Sequence, residues 1–199
     1  MSEDLSHRYP KTVDGERGQF VIRLMQASDA GDALAFARTL PEHDLLFLPR
    51  NITVPKVLAA WMNQLDKGSI TSLVVMHQNR MVGFSAIVSE PRSWSPHVGE
   101  LRVLIAPDVR DAGIGRTLIQ ESFLLAISRG LEKLSAQMTI DQKGAIAVFQ
   151  DLGFVAEALL RDQVKDHEGE TNDIIVLSHN VADFQARMEQ YGLAEAFAE

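Results

Sequence analysis

Apolar positions along the chain change their period in a regular order. Residues 19–25 (QFVIRLM) have strand composition, and Ala33, Leu34, Ala37 and Leu40 recur at helical spacing behind the Ala27-Ser28-Asp29 cap. Pro41 and Pro49 bracket an apolar run, Leu45-Leu46-Phe47-Leu48, that must pack against something. Thr53, with Pro55 in the first turn, opens a second helix running to about Asp66. Two strands follow, 71–77 (TSLVVMH) and 81–89 (MVGFSAIVS), joined by the short polar turn Gln78-Asn79-Arg80. A further strand, 97–106 (HVGELRVLIA), stops at Pro107. A glycine-containing turn at 110–115 then leads into a long apolar helix that ends at Ser128, with Gly130 as its stop. Residues 134–139 read as a strand and 143–152 as a short helix closed by Gly153. Residues 154–164 and 171–178 read as antiparallel strands joined by Asp166-His167-Glu168-Gly169. Asn180 caps a last helix that runs toward Phe197. The pattern predicts one mixed α/β domain over 19–180, preceded by a flexible leader (1–18) and followed by a C-terminal helix (181–199) that packs on the domain or at a dimer interface.

Composition narrows the chemistry. With 199 residues, 46% hydrophobic and 23% charged, the chain can bury a core without staples. It has no cysteine, so disulfides, thiolate metal sites and a Cys nucleophile are excluded, and the expected compartment is the reducing cytoplasm. A net charge of −8 gives no general attraction to nucleic acid or anionic membrane, and neither is expected as a partner. The longest apolar run, Val57 to Met62, is far short of the ~20 residues of a membrane span. His77, His167 and His179 are scattered without metal-ligand spacing, so no metal is expected, and no G-x-S-x-G nucleophile elbow occurs.

One segment carries chemistry: a buried strand, a proline, the turn Arg110-Asp111-Ala112-Gly113-Ile114-Gly115, and then a helix. The first turn of a helix has N–H groups without helical partners, and with the positive end of the dipole they attract anions. Gly113 and Gly115 remove side chains where a phosphate must approach the backbone, and Arg110 and Arg116 add charge-assisted donors. The dinucleotide fingerprint fails because Leu118 stands where its third glycine belongs, and the Walker lysine is missing. Phosphate or pyrophosphate is the expected ligand, with a purely structural tight turn as the alternative.

That turn resembles the signature of the GNAT superfamily of acyl-CoA-dependent N-acetyltransferases, R/Q-x-x-G-x-G/A. The run 145–154 (AIAVFQDLGF) is similar to the family's later helix, and Ile22-Arg23 through Ser28-Asp29 to its opening strand and first helix. The resemblance implies a central, mostly antiparallel sheet of six to seven strands with a splayed central pair, flanked by helices. It implies that Val109, Arg110, Asp111, Ala112, Gly113, Ile114 and Gly115 cradle the pyrophosphate of acetyl-CoA, with Arg116 and Thr117 beside them. The backbone of Leu104 and Ile105 would pair with the pantetheine arm, and Phe149 would lie near the thioester. The implied reaction is acetyl transfer to a primary amine, of a small molecule or a protein, by direct attack in a ternary complex; homodimers are frequent in the family.

Two positions depart from the family pattern: Gln142 replaces the usual Asn, and Phe149 replaces the Tyr that commonly protonates the leaving thiolate. Unassisted departure, another donor, or acyl-CoA binding without turnover, as in a sensor or regulatory domain, are the readings this leaves. A CoA thiol with a pKa near ~8.5 leaves tolerably without help. For the base that deprotonates the amine, Glu100 and His97 lie on the strand leading to the cofactor turn. Their three-residue separation puts them on opposite faces.

Overall fold

The computed structural model describes residues 5–181. Eight strands form one sheet: β1 (Lys11–Gly15), β2 (Gly18–Leu24), β3 (Ile70–His77), β4 (Arg80–Val88), β5 (Val98–Ile105), β6 (Lys133–Thr139), β7 (Val155–Lys165) and β8 (Thr171–Asn180). They lie in the order β1-β2-β3-β4-β5-β6-β8-β7. Every neighbouring pair is antiparallel except β5 and β6, which are parallel. The helices are α1 (Ala30–Ala37), α2 (Pro55–Asp66), α3 (Ile114–Ser128) and α4 (Lys143–Asp151).

The β4 side chains show how the layers form. Phe84 points to one face and meets Phe36 of α1 and Trp61 of α2 edge-on, at 5.7 and 5.6 Å between ring centroids. Ser85 points to the other face, where the Ser122 hydroxyl of α3 donates to it at 2.9 Å. α4 shares the α3 face through Phe149–Phe154 and Phe154–Phe123 ring contacts. Strand alternation therefore divides the core into an α1/α2 half and an α3/α4 half.

The mixed α/β architecture, a mostly antiparallel sheet flanked by helices, is the expected one. The leader was expected to be flexible up to residue 18, and the sheet to have about six to seven strands. Instead Lys11–Gly15 forms an eighth strand that turns back on β2 through Gly15 and Gly18, the latter at φ +105°. Its anchor is a carboxylate on the far side of the chain. Glu121 of α3 is 1% exposed, and the Tyr9 hydroxyl and Lys11 ammonium donate to it at 3.0 and 2.6 Å. A buried carboxylate is costly unless it is paired, so these bonds draw the leader onto the domain. The second helix also starts later than expected: Thr53 bonds Asn51 Oδ1 instead of capping, and α2 begins at Pro55. Of the expected C-terminal helix, only Val181 falls within the described residues; the rest of that expectation lies outside them.

Candidate active site

The sheet is interrupted where β5 and β6 part. They pair only at Val98, Gly99 and Glu100, opposite Lys133, Leu134 and Ser135. Beyond that rung Leu101–Ile105 and Ala136–Thr139 diverge, leaving one edge of β5 without a strand partner among the described residues. Such an edge presents N–H and C=O groups that an extended, amide-bearing ligand can pair with. Between the diverging strands lies a cavity of about 570 Å³.

At the wide end of this cavity the chain leaves β5, passes Pro107 and enters α3. Gly113 is the N-cap at φ +78°, a left-handed conformation that costs other L-residues strain. A Cβ there would meet nothing within 4 Å, so the glycine is required by its backbone angle rather than by crowding. The first helical N–H to find a helix partner is that of Thr117, which donates to the Gly113 carbonyl at 3.2 Å. The turn before it therefore offers its donors to a ligand. Arg110 and Arg116 also line the cavity. Arg116 pairs with Asp151 of α4 at 2.7 Å, and Arg110 pairs with Asp44 while its guanidinium donates to the Ile105 carbonyl at 3.3 and 3.4 Å. An αL N-cap, an open first turn and two cations suit a pyrophosphate, and the unpaired β5 edge suits a pantetheine arm.

Of the residues expected to hold the cofactor, Leu104, Ile105, Val109, Arg110, Asp111, Gly113, Ile114, Gly115, Arg116 and Phe149 line this cavity. Ala112 and Thr117 do not: Ala112 is buried, and the Thr117 hydroxyl reaches back to the Gly113 carbonyl at 3.4 Å. Phe149 is 5% exposed and packs edge-on against Phe154.

The two candidate bases are not brought together. Glu100 sits on the closed rung of the splay and lines a second cavity of about 500 Å³, with Glu90, Lys67 and several serines. Its carboxylate accepts two bonds from Arg102, at 2.8 and 3.0 Å, and Arg102 lies over Trp61 of α2 at 5.8 Å. His97 is exposed, lines neither cavity, and uses its carbonyl to accept from the N–H groups of Glu132 and Lys133.

The Leu45–Leu48 run, read from sequence as core packing, a dimer contact or a wall of the acceptor pocket, divides: Leu45 and Leu48 turn into the core, while Phe47 lines the cavity together with Asp44, which sequence reasoning missed. The signal was the mixed character of that run, polar residues followed by an apolar stretch, which marks a segment with one side buried and one side open. His43 in the same loop reaches across to β6: its Nε2 lies 3.0 Å from Asp141 Oδ1 and 3.1 Å from Thr139 Oγ1. Burial pushes the Asp141 carboxyl up, but hydrogen bonds from Thr139 and His43 outweigh this and hold it below the usual carboxylate range. Among the described residues, no group of three or more His, Asp or Glu is placed to hold a metal ion, and no helix is long and apolar enough to cross a membrane.

Comparison with known proteins agrees with this geometry. The sequence profile of the Acetyltransferase (GNAT) family matches residues 17–154. The fold is similar to that of a ribosomal-protein-alanine N-acetyltransferase from Brucella melitensis, with 22% identity, a TM-score of 0.68, and coverage of 80% of this chain and 98% of that one. A ribosomal-protein-S5-alanine acetyltransferase from Vibrio fischeri is 18% identical, with a TM-score of 0.71 and coverage of 87% and 98%. A GNAT superfamily phosphinothricin acetyltransferase from Sinorhizobium meliloti, solved in complex with AcCoA, is 17% identical, with a TM-score of 0.70 and coverage of 81% and 88%. At these identities the structural likeness establishes the fold alone. A search of curated protein sequences finds no match.

Proposed function

Because the chain belongs to the GNAT acetyltransferase family, and is an acyltransferase by that membership, we propose that it transfers the acetyl group of acetyl-CoA to a primary amine by direct attack while both substrates are bound. The observation that carries this reading is the parting of β5 and β6 after Glu100, with the open first turn of α3 at the mouth of the gap. The cofactor's pyrophosphate would lie on the N–H groups around Gly113 to Arg116, and its pantetheine would pair with the free edge of Leu104 and Ile105. The thioester is then carried toward the closed end of the splay.

There the amine lone pair attacks the thioester carbonyl, the C–N bond forms and the C–S bond breaks. The ammonium proton leaves to a base, and the thiolate departs as CoA. Phe149 has no proton to donate, so the thiolate leaves unassisted or protonated by water, which a thiol of ordinary acidity permits. Glu100 is the base we favour over His97, because it lies on the rung where the gap closes and faces the second cavity, whereas His97 faces neither. Arg102 fixes the orientation of its carboxylate. A chain without cysteine suits a reducing cytoplasm as the place of this reaction. The test is calorimetric titration with acetyl-CoA, followed by thiol release in the presence of pooled primary amines. Binding with amine-dependent release is expected; binding without release refutes the transfer step, and no binding refutes the cofactor assignment.

A further inference from the structure

The unexpected eighth strand reaches the turn at the start of α3 from outside the cavity. Where β1 turns into β2, Arg17 donates to the Asp108 carbonyl, and a Cβ on Gly15 would stand 3.0 Å from the Ala112 carbonyl oxygen and 2.9 Å from the Phe20 ring. The hairpin backbone therefore lies directly on the turn, and only a glycine fits between them. The Asp108 carboxylate is held separately, by Arg80 at the start of β4. The other end of β1 is fastened to α3 itself: Tyr9 and Lys11 donate to buried Glu121, about two helical turns beyond Gly113. One short strand thus holds both the helix whose first turn opens on the cavity and the loop that leads into it.

That loop needs holding. Asp111 and Gly113 stand at φ +64° and +78°, and Asp111 carries a Cβ, so its conformation is costly and lasts only while its neighbours enforce it. The two carbonyls that the hairpin engages, of Asp108 and Ala112, flank Asp111 in the chain. In a trans peptide the N–H is opposed to the C=O, so an Ala112 carbonyl set against Gly15 directs the Gly113 N–H away from the hairpin, and Gly113 lines the cavity. We infer that the β1–β2 hairpin is a clasp that preorganises the phosphate-binding turn, with Gly15 and Arg17 as positioning residues, so that docking of the leader and binding of the cofactor strengthen one another. The inference rests on the acetyl-CoA reading above and adds a control element to it. A chain whose clasp is open keeps the cavity but binds the cofactor more weakly, in proportion to the time its turn spends misformed.

The probe is CoA, titrated calorimetrically into the full-length protein. Arg17→Ala should weaken it about threefold to tenfold, and so should Gly15→Ala, which presses a methyl group on the Ala112 carbonyl without changing charge. The Arg17→Ala loss should persist in about 1 M salt, where charges more than about 3 Å apart are screened, because it does not arise from attraction at a distance. Linkage requires the reverse effect as well. Saturating CoA should slow amide hydrogen exchange in Lys11–Gly15 by about the same factor, measured against β7 at the opposite edge of the sheet, and that slowing should shrink in Arg17→Ala. Unchanged CoA affinity in either folded variant, an Arg17→Ala loss that vanishes in high salt, or β1 exchange indifferent to CoA overturns the clasp and leaves the acetyl-CoA reading standing. CoA that fails to bind the wild type overturns that reading, and the clasp with it.

Discussion

Substituting Gly113 by alanine and by aspartate separates the two reasons for a glycine at the start of α3. Both replacements place a Cβ on a residue at φ +78°, and that Cβ meets no atom within 4 Å. Each should therefore lose the same backbone strain and nothing by collision, about 1–2 kcal/mol. In a chain of this length that lowers the melting temperature by about 2–8 °C. The aspartate adds a carboxylate roughly one side-chain length, about 5 Å, from the expected phosphate. One unit charge at that distance and an effective dielectric of about 20 costs about 3 kcal/mol. Solvent at this exposed turn about halves that figure, leaving about 1.5 kcal/mol, a loss of about tenfold in affinity. The aspartate also serves as an N-cap beside the open first turn, so Gly113→Asp should melt no lower than Gly113→Ala, while calorimetry with acetyl-CoA should show it binding more weakly by that factor. A folded Gly113→Asp protein that binds acetyl-CoA as tightly as Gly113→Ala would show that no phosphate lies against this turn.

Three further outcomes follow from the described contacts. Glu100→Gln should lower acetyl transfer at neutral pH and flatten the pH dependence of kcat/KM with acetyl-CoA binding unchanged; a wild-type profile would remove Glu100 as the base. Asp29→Asn should cost about 2 kcal/mol, because Arg23 meets Asp29 through two 2.7 Å bonds and the Gln26 N–H adds a third at 2.8 Å. Those Arg23 bonds, against the opposing effect of burial, hold the Asp29 carboxyl below its ordinary value. Its contribution is therefore present above the unfolded-state pKa, near ~3.9, and is lost as pH falls through the lower folded value. Acid denaturation should show this loss in the wild type and lack it in Asp29→Asn; equal acid sensitivity would contradict it. Lys11→Met should destabilise by about 1–3 kcal/mol by stripping a partner from buried Glu121, whereas an unchanged melting temperature would mean that β1 contributes nothing to the domain.

What could be read from the chain was what local chemistry dictates. The strand, proline and glycine turn of 101–115 lie next to one another in sequence, so the αL turn at the start of α3 was legible there, as was the AIAVF helix opposite it. Elements whose reason lies elsewhere in the chain were not. Lys11–Gly15 is polar and glycine-ended, and what makes it a strand is Glu121, more than a hundred residues away and satisfied by Tyr9 and Lys11. Nothing local marks Asp44, and only the fold brings it to Arg110, 66 positions later. Glu100 and Arg102 were visible as neighbours on one strand face, yet nothing local says that the β5–β6 ladder stops at Glu100. That break distinguishes a site from a sheet. With β6 leaving β5 after a single three-residue rung and continuing along β8, the sheet keeps its hydrogen bonds on one side and gives up a strand edge on the other. An edge buried between helices is unstable unless something extended fills it. The same unmet hydrogen bonding that would be a defect in a structural sheet is therefore what would give this one affinity for the amide-bearing arm of the proposed cofactor.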